Sequence, residues 1–155
     1  MILDSLILQT KLFLQEDMDI EILDVSTNEL DSNQLNLLEH TSMIGVGGTL
    51  NLMAVISFDD SISKTLVNLF MDGEEIDPEE EEEIIESVTG ETINTILGLA
   101  LPTFPNRGKG VTITPPISIN KTSSLKKHKN SKILTATIKT KNGTLSISAI
   151  GEDIK

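Results

Sequence analysis

The apolar positions along this chain fall into runs of two different periods. Between residues 2 and 14, Ile2, Leu3, Leu6, Ile7, Phe13 and Leu14 are spaced as one face of a helix. Residues 19–25 alternate in part and predict a short strand. Residues 26–41 are mostly polar, rich in Asn, Asp and Ser, and predict a connector with little structure of its own. Residues 42–58 predict a hairpin. Met43-Ile44-Gly45-Val46 leads to a turn at Gly47-Gly48, and Leu50, Leu52, Ala54, Ile56 and Phe58 then alternate or run apolar.

Two helices follow. Asp59 or Asp60 is placed to cap a helix over about 61–72, with Leu66, Val67, Leu69, Phe70 and Met71 as its buried part. An acidic run then extends from Glu74 to Glu86. Within it, Asp77-Pro78-Glu79-Glu80 puts Asp at the cap, Pro at the first helical position and Glu at the third. The remaining carboxylates favour the positive end of the helix dipole. This helix is expected to run from Pro78 to about Leu101 and to stop at Pro102. Pro105, Gly108 and Gly110 mark a turn. Strands are predicted near 111–119, 133–140 and 144–150, the last two joined by Lys141-Asn142-Gly143, a strong tight-turn signal.

The predicted order is α-β-β-β-α-α-β-β-β, an α+β fold. Strands from both ends of the chain are expected to pair into one antiparallel-rich sheet. Two long central helices and the N-terminal helix pack on it. The length of 155 residues suits one domain over 1–155.

Composition narrows the chemistry. The only aromatics are Phe13, Phe58, Phe70 and Phe104, so the core is mostly Leu, Ile, Val and Met. Twenty-four acidic against 12 basic residues give a net charge of −12. Such a surface repels nucleic acid and anionic lipid, and neither is an expected partner. The absence of cysteine excludes disulfides, a catalytic thiol and thiolate metal sites. His40 and His128 are far apart in sequence and belong to no ligand-spaced motif, so no metal site is assigned to them.

The N-terminus carries Asp4 before any basic residue and lacks a small-residue cleavage site, so it does not read as a signal peptide. No stretch reaches the ~18 apolar residues of a membrane span. A cytoplasmic location is expected, in which the sequons at Asn120 and Asn142 have no meaning as glycan sites. Gly45-Val46-Gly47-Gly48 lacks a Walker lysine and is not followed by a predicted helix, so it reads as a hairpin turn and not a phosphate loop. The acidic run lacks the spacing of an EF-hand. Lys121, Lys126, Lys127, His128, Lys129 and Lys132 make a basic loop, read as solvated.

On the helix from Pro78 to Leu101, at ~100° per residue, Ile85, Val88, Thr92, Ile96, Leu99 and Ala100 fall within roughly 60° of one direction and form the predicted buried stripe. Ser87, Glu91, Asn94 and Gly98 fall on the opposite side, with Gly90 at the edge of that group. Asn and Gly are poor helix formers, and a purely solvating face would prefer Lys, Glu, Gln and Ala. Small residues here flank one carboxylate and one carboxamide, and let another backbone come close. Periodicity alone leaves two readings open: a tight helix contact that satisfies Asn94, or a functional face.

Ser87-x-x-x-Glu91-x-x-Asn94 resembles the signature of the chemotaxis phosphatases CheC, CheX and FliY: Asp or Ser, Glu four later, Asn three after that. A proline some twenty residues further on belongs to the pattern. Pro115-Pro116 stands near that place, with a spacing off by about one residue. Ser42 to Phe58 resembles the family's first hairpin. Asp59-Asp60 with the following helix, the acidic lead into the signature helix, Pro115 to Ile119 and the C-terminal hairpin extend the likeness over most of the chain. Glu91/Asn94 is the only Glu-x-x-Asn present, which is similar to the single-motif CheX type; CheC-type members carry two.

The resemblance implies a CheC-like fold and phosphatase action in chemotaxis or another two-component circuit. The implied substrate is the aspartyl phosphate of a CheY-like receiver domain in a response regulator. Asn94 would position the attacking water and Glu91 would pair with the receiver's active-site lysine. Ser87, Gly90 and Gly98 would line the contact with the partner. The chain itself would bind no cofactor or metal, magnesium being supplied by the receiver. It also implies a homodimer joined through the sheets. The alternative is a non-catalytic adaptor of the same fold that binds a receiver or a flagellar-switch component.

Overall fold

A computed structural model describes residues 2–30, 33–119, 124–127, 130–152 and 154. Helix α1 spans Ile2–Leu12 and runs into one π-type turn, Phe13–Asp17. Strands β1 (Ile22–Leu30), β2 (Gln34–Asn36), β3 (His40–Gly48) and β4 (Leu52–Phe58) follow. Helices α2 (Asp60–Phe70) and α3 (Glu81–Ala100) come next, then 3-10 turns at Leu101–Thr103 and Pro105–Gly108. The chain ends with β5 (Val111–Ile113), β6 (Ile117–Ser118), β7 (Ser124–Lys126), β8 (Lys132–Thr140) and β9 (Gly143–Gly151).

The main sheet is antiparallel, in the order β1-β8-β9-β4-β3-β5, with β6 also beside β3. Its centre joins the two ends of the chain, because β4 pairs with β9 from Leu52↔Gly151 to Phe58↔Leu145. The expected α+β architecture is therefore present.

Strand alternation gives the sheet two different faces. Leu52, Ala54, Ile56 and Phe58 of β4, with Leu145, Ile147 and Ala149 of β9, turn to one side. There they meet Leu6 of α1, Leu66 of α2, and Ile93 and Ile96 of α3. Val55, Ile133 and Ile150 turn to the other side, where Leu35 and Leu125 of a small β2–β7 ribbon cover them. Polar groups on that second face are paired across strands: Thr41 Oγ1 with Ser57 Oγ at 2.7 Å, and Thr135 Oγ1 with Ser148 Oγ at 2.7 Å.

Asp59 supplies the helix cap. Its Oδ1 accepts from the Ile62 N–H at 2.9 Å and its Oδ2 accepts from the Thr144 N–H at 2.8 Å, tying α2 to the β8–β9 hairpin. The turn of the first hairpin is made by Gly48, at φ 91°, and the three residues after it.

Several boundaries differ from the sequence expectation. The first strand is Ile22–Leu30, not 19–25, so residues 26–30 are strand and not connector. It is an edge strand, paired among the described residues only with β8, and its mostly exposed side chains leave no apolar alternation to read. Leu35 and Leu125 place two more short strands in segments read as loops. Lys121, His128 and Lys129 of the basic loop lie outside the described residues, as does Asn120. The segment 111–119 is two strands, split at Pro115-Pro116, which have no N–H to donate. Helix α3 begins at Glu81, not Pro78. Asp77 Oδ1 accepts from the Glu79 N–H and Asp77 O from the Glu80 N–H, closing a separate turn before the helical ladder starts at Ile84 N–H to Glu80 O.

Candidate functional site

Helix α3 is placed by a buried arc of Ile85, Val88, Thr89, Thr92, Ile93, Ile96, Leu97 and Ala100, a spacing of three and four residues throughout. It packs against α1, α2 and strands β3, β4 and β6. The two buried threonines need no outside partner. Thr89 Oγ1 donates to Ile85 O and Thr92 Oγ1 to Val88 O, each at 2.7 Å. Leu99, expected in the buried stripe, is instead 55% exposed, and Ile93 and Leu97 are buried. The helix is enclosed by helices as well as by the sheet, which rotates its buried arc away from Leu99.

Ser87, Glu91, Asn94 and Gly98 are all exposed. Glu91 and Asn94 are one turn apart, about 4.5 Å along the helix axis at 1.5 Å per residue. Thr92 and Ile93 between them are buried, so the carboxylate and the carboxamide share a rigid turn. Neither side chain has a hydrogen-bond or ion-pair partner among the described residues. No hydrogen bond joins Ser87 to Glu91. Nothing lies within 4 Å of a Cβ built on Gly98, so that position is open.

Gly90 is placed differently from the expected partner contact. It is buried, and a Cβ built on it would come 3.3 Å from Pro116 Cβ and 3.8 Å from Ser42 Oγ. The space left by its missing side chain is filled by the chain's own proline. Pro116 had only the family pattern to mark it in the sequence. Its role as a neighbour of the Glu91 turn becomes visible only in three dimensions.

The end of the helix is shaped by its prolines. α3 stops at Ala100, and Phe104, buried among the core residues, donates its N–H to Leu101 O. The acidic lead is confined to the other end, with Glu81, Glu82 and Glu83 in the first turn, where the dipole favours them. The described part of the basic loop is remote from the site. Lys126 belongs to β7, which covers the sheet face opposite the helices. Among the described residues no group of three or more His, Asp or Glu is placed to hold a metal ion. No helix there is long and apolar enough to cross a membrane.

What the site offers chemically is one uncharged amide and one carboxylate on an open convex helix face. It contains no cavity-bound nucleophile and no base beside one, the arrangement expected of a self-sufficient hydrolase.

Comparison with known proteins gives a coherent result. The family described as chemotaxis phosphatase CheX matches residues 40–139, well over half of the chain. No curated protein matches it by sequence. Among solved structures, a chemotaxis protein CheX from Desulfovibrio desulfuricans superposes with a TM-score of 0.81 at 16% identity, covering 96% of this chain and 97% of the other. A CheX-CheY-BeF3-Mg2+ complex from Borrelia burgdorferi gives 0.75 at 18% identity, covering 97% of each chain. Thermotoga maritima FliY gives 0.54 at 15% identity, covering 94% of this chain and 84% of the other. At these identities the structural likeness speaks to the fold.

Proposed function

The chain belongs to the chemotaxis phosphatase CheX family, and from that premise we propose that it accelerates hydrolysis of the aspartyl phosphate of a CheY-like receiver domain. Asn94 holds the attacking water, and Glu91 docks to the receiver's active-site lysine. The observation that carries this reading is the exposure of Glu91 and Asn94 on one turn of α3, without partners of their own among the described residues.

The division of labour follows from the chemistry. An acyl phosphate is already activated, because its leaving group is a carboxylate. Water attacks the phosphorus, the bond from phosphorus to the aspartyl oxygen breaks, and inorganic phosphate departs. The receiver brings magnesium and a lysine, which neutralise charge on the phosphoryl group. What it lacks is a water held in line. A carboxamide is suited to holding one. Its oxygen accepts from the water, its NH₂ donates toward the phosphoryl oxygens, and it carries no charge to repel them. Placement of this kind is worth on the order of 10²–10³ in rate, about 3–4 kcal/mol.

Glu91 serves orientation. A carboxylate paired with the receiver's lysine in a desolvated contact fixes the register of helix and pocket and adds specificity. The open position at Gly98 lets the partner's backbone approach. Ser87, one turn earlier, faces the partner's rim. The Borrelia burgdorferi CheX-CheY-BeF3-Mg2+ complex, of the same fold, supports a receiver partner that contributes the magnesium.

The test is a panel of phosphorylated receivers from the same genome, timed for phosphate loss with and without this protein. A cognate receiver loses its phosphate faster in its presence. An adaptor of the same fold would bind a receiver and leave the rate unchanged, and that result would remove the catalytic reading.

A further inference from the structure

Gly90 stands immediately before Glu91, in the middle of α3, where glycine weakens a helix. Backbone conformation does not demand it, since Gly90 is not among the residues of positive φ. Space does. An added Cβ would meet Pro116 Cβ at 3.3 Å and Pro116 Cγ at 3.7 Å, and the proline would have to give way by a few tenths of an ångström.

Pro116 is held in that place by an irregularity in the sheet. β5 pairs with β3 at Val46↔Ile113, and the Thr114 N–H continues the ladder by donating to Gly45 O at 2.9 Å. Pairing resumes at Met43↔Ile117 and Ser42↔Ser118. Two prolines, Pro115 and Pro116, therefore stand opposite the single residue Ile44. This is a bulge, a device that bends a strand and re-aims its side chains. Both of its ends are fastened by hydroxyls: Thr114 Oγ1 accepts from the Gly45 N–H at 2.9 Å, and Ser42 Oγ donates to Ile117 O at 3.3 Å. The ring of Pro116 leaves the bulge toward α3 and seats on Gly90.

The geometry points to Gly90 and Pro116 as a matched positioning pair for the Glu91–Asn94 turn. The bulge is anchored to β3, so its contact with Gly90 sets the height and roll of α3 at that turn, independently of the core stripe beneath. The inference rests on the reading of Glu91 and Asn94 as the working pair. Neither Gly90 nor Pro116 is assigned a contact with the substrate. A shift of about 1 Å in a positioned group is enough to lower a rate by up to about 10²-fold.

The experiment compares Gly90→Val, Pro116→Ala, Pro116→Gly and the double variant Gly90→Val/Pro116→Gly with wild type. Steady-state hydrolysis is measured on the cognate phosphorylated receiver, and the side-chain amide resonances of Asn94 are recorded in the isolated protein. Gly90→Val is expected to lower kcat by roughly tenfold or more, with KM rising as the Glu91 contact is displaced along with Asn94. Removing the ring in the double variant restores much of that kcat, a coupling that independent structural damage would not produce. A folded Gly90→Val with wild-type kcat, or losses that simply add in the double variant, overturns the pairing. Should Gly90→Val not fold, Pro116→Ala decides: kcat is expected to fall several-fold, and an unchanged kcat overturns the pairing. If wild type accelerates phosphate loss from no receiver, the catalytic reading fails by itself. The positioning pair is then judged on the Asn94 resonances, which Pro116→Ala must shift, and unmoved resonances overturn it.

Discussion

Glu91 and Asn94 project to solvent from one turn of α3 while Thr92 and Ile93 between them are buried. Their spacing is therefore set by helix geometry and by the core. The two side chains can meet a partner together without rearrangement of the backbone, and each can be removed without opening a cavity.

Glu91 is expected to act on binding. Glu91→Ala raises KM for the phosphorylated receiver by roughly 10–100-fold, the value of a lost charge-assisted contact of about 1.5–3 kcal/mol. Glu91→Lys does more, because it sets like charges against each other. The difference between wild type and Glu91→Ala narrows as salt is added. Steady-state kinetics at two ionic strengths checks this, and a wild-type KM for Glu91→Lys would contradict it.

Asp59 is expected to be a stability residue outside the site. Its two oxygens accept from Ile62 and Thr144, so it caps α2 and fastens the β8–β9 hairpin at once. Asp59→Ala should lower unfolding free energy by about 2–3 kcal/mol in a denaturant titration, the sum of a cap and a second charge-assisted bond. Gly143→Ala should also destabilise. Gly143 has φ 135°, and an added Cβ would come 2.5 Å from Asp59 Oδ1.

Much of this was legible from the chain. The three- and four-residue spacing from Ile85 to Ala100 gave α3, and the isolated Glu-x-x-Asn within it gave the candidate site. The alternation from Leu52 to Phe58 gave the central strand. Strand β1 was not legible past Val25, because Ser26, Thr27, Asn28 and Glu29 lie on an exposed edge and carry no apolar rhythm. The Asp77-Pro78 start reads as helix in the sequence, although a local turn takes the same capping bonds. Leu99 reads as core because a single averaged direction describes contact with one neighbour, whereas α3 touches two helices and the sheet. Gly90 reads as an invitation to a partner until Pro116, distant in sequence, is seen to occupy the space.

Acid should loosen the start of α2. Asp60 receives His40 Nε2 at 3.1 Å on one oxygen and Lys64 Nζ at 3.0 Å on the other, and these hydrogen bonds hold its carboxyl below the ordinary value of 3.8. A carboxyl lowered in the folded state stabilises fully above its unfolded value. That contribution fades as the pH falls below 3.8 and is gone beneath the lowered folded value. Asp60 is half exposed, so the effect is small. Denaturation curves should separate wild type from Asp60→Asn near neutrality and converge in strong acid. A gap that widens toward low pH would contradict the assignment.

The most direct test of the account is single-turnover phosphate release from the cognate phosphorylated receiver, with receiver affinity measured alongside. Asn94→Ala is predicted to slow release by roughly 10²–10³ while affinity stays within about twofold of wild type. Release by Asn94→Ala at the wild-type rate would show that the carboxamide does not hold the attacking water.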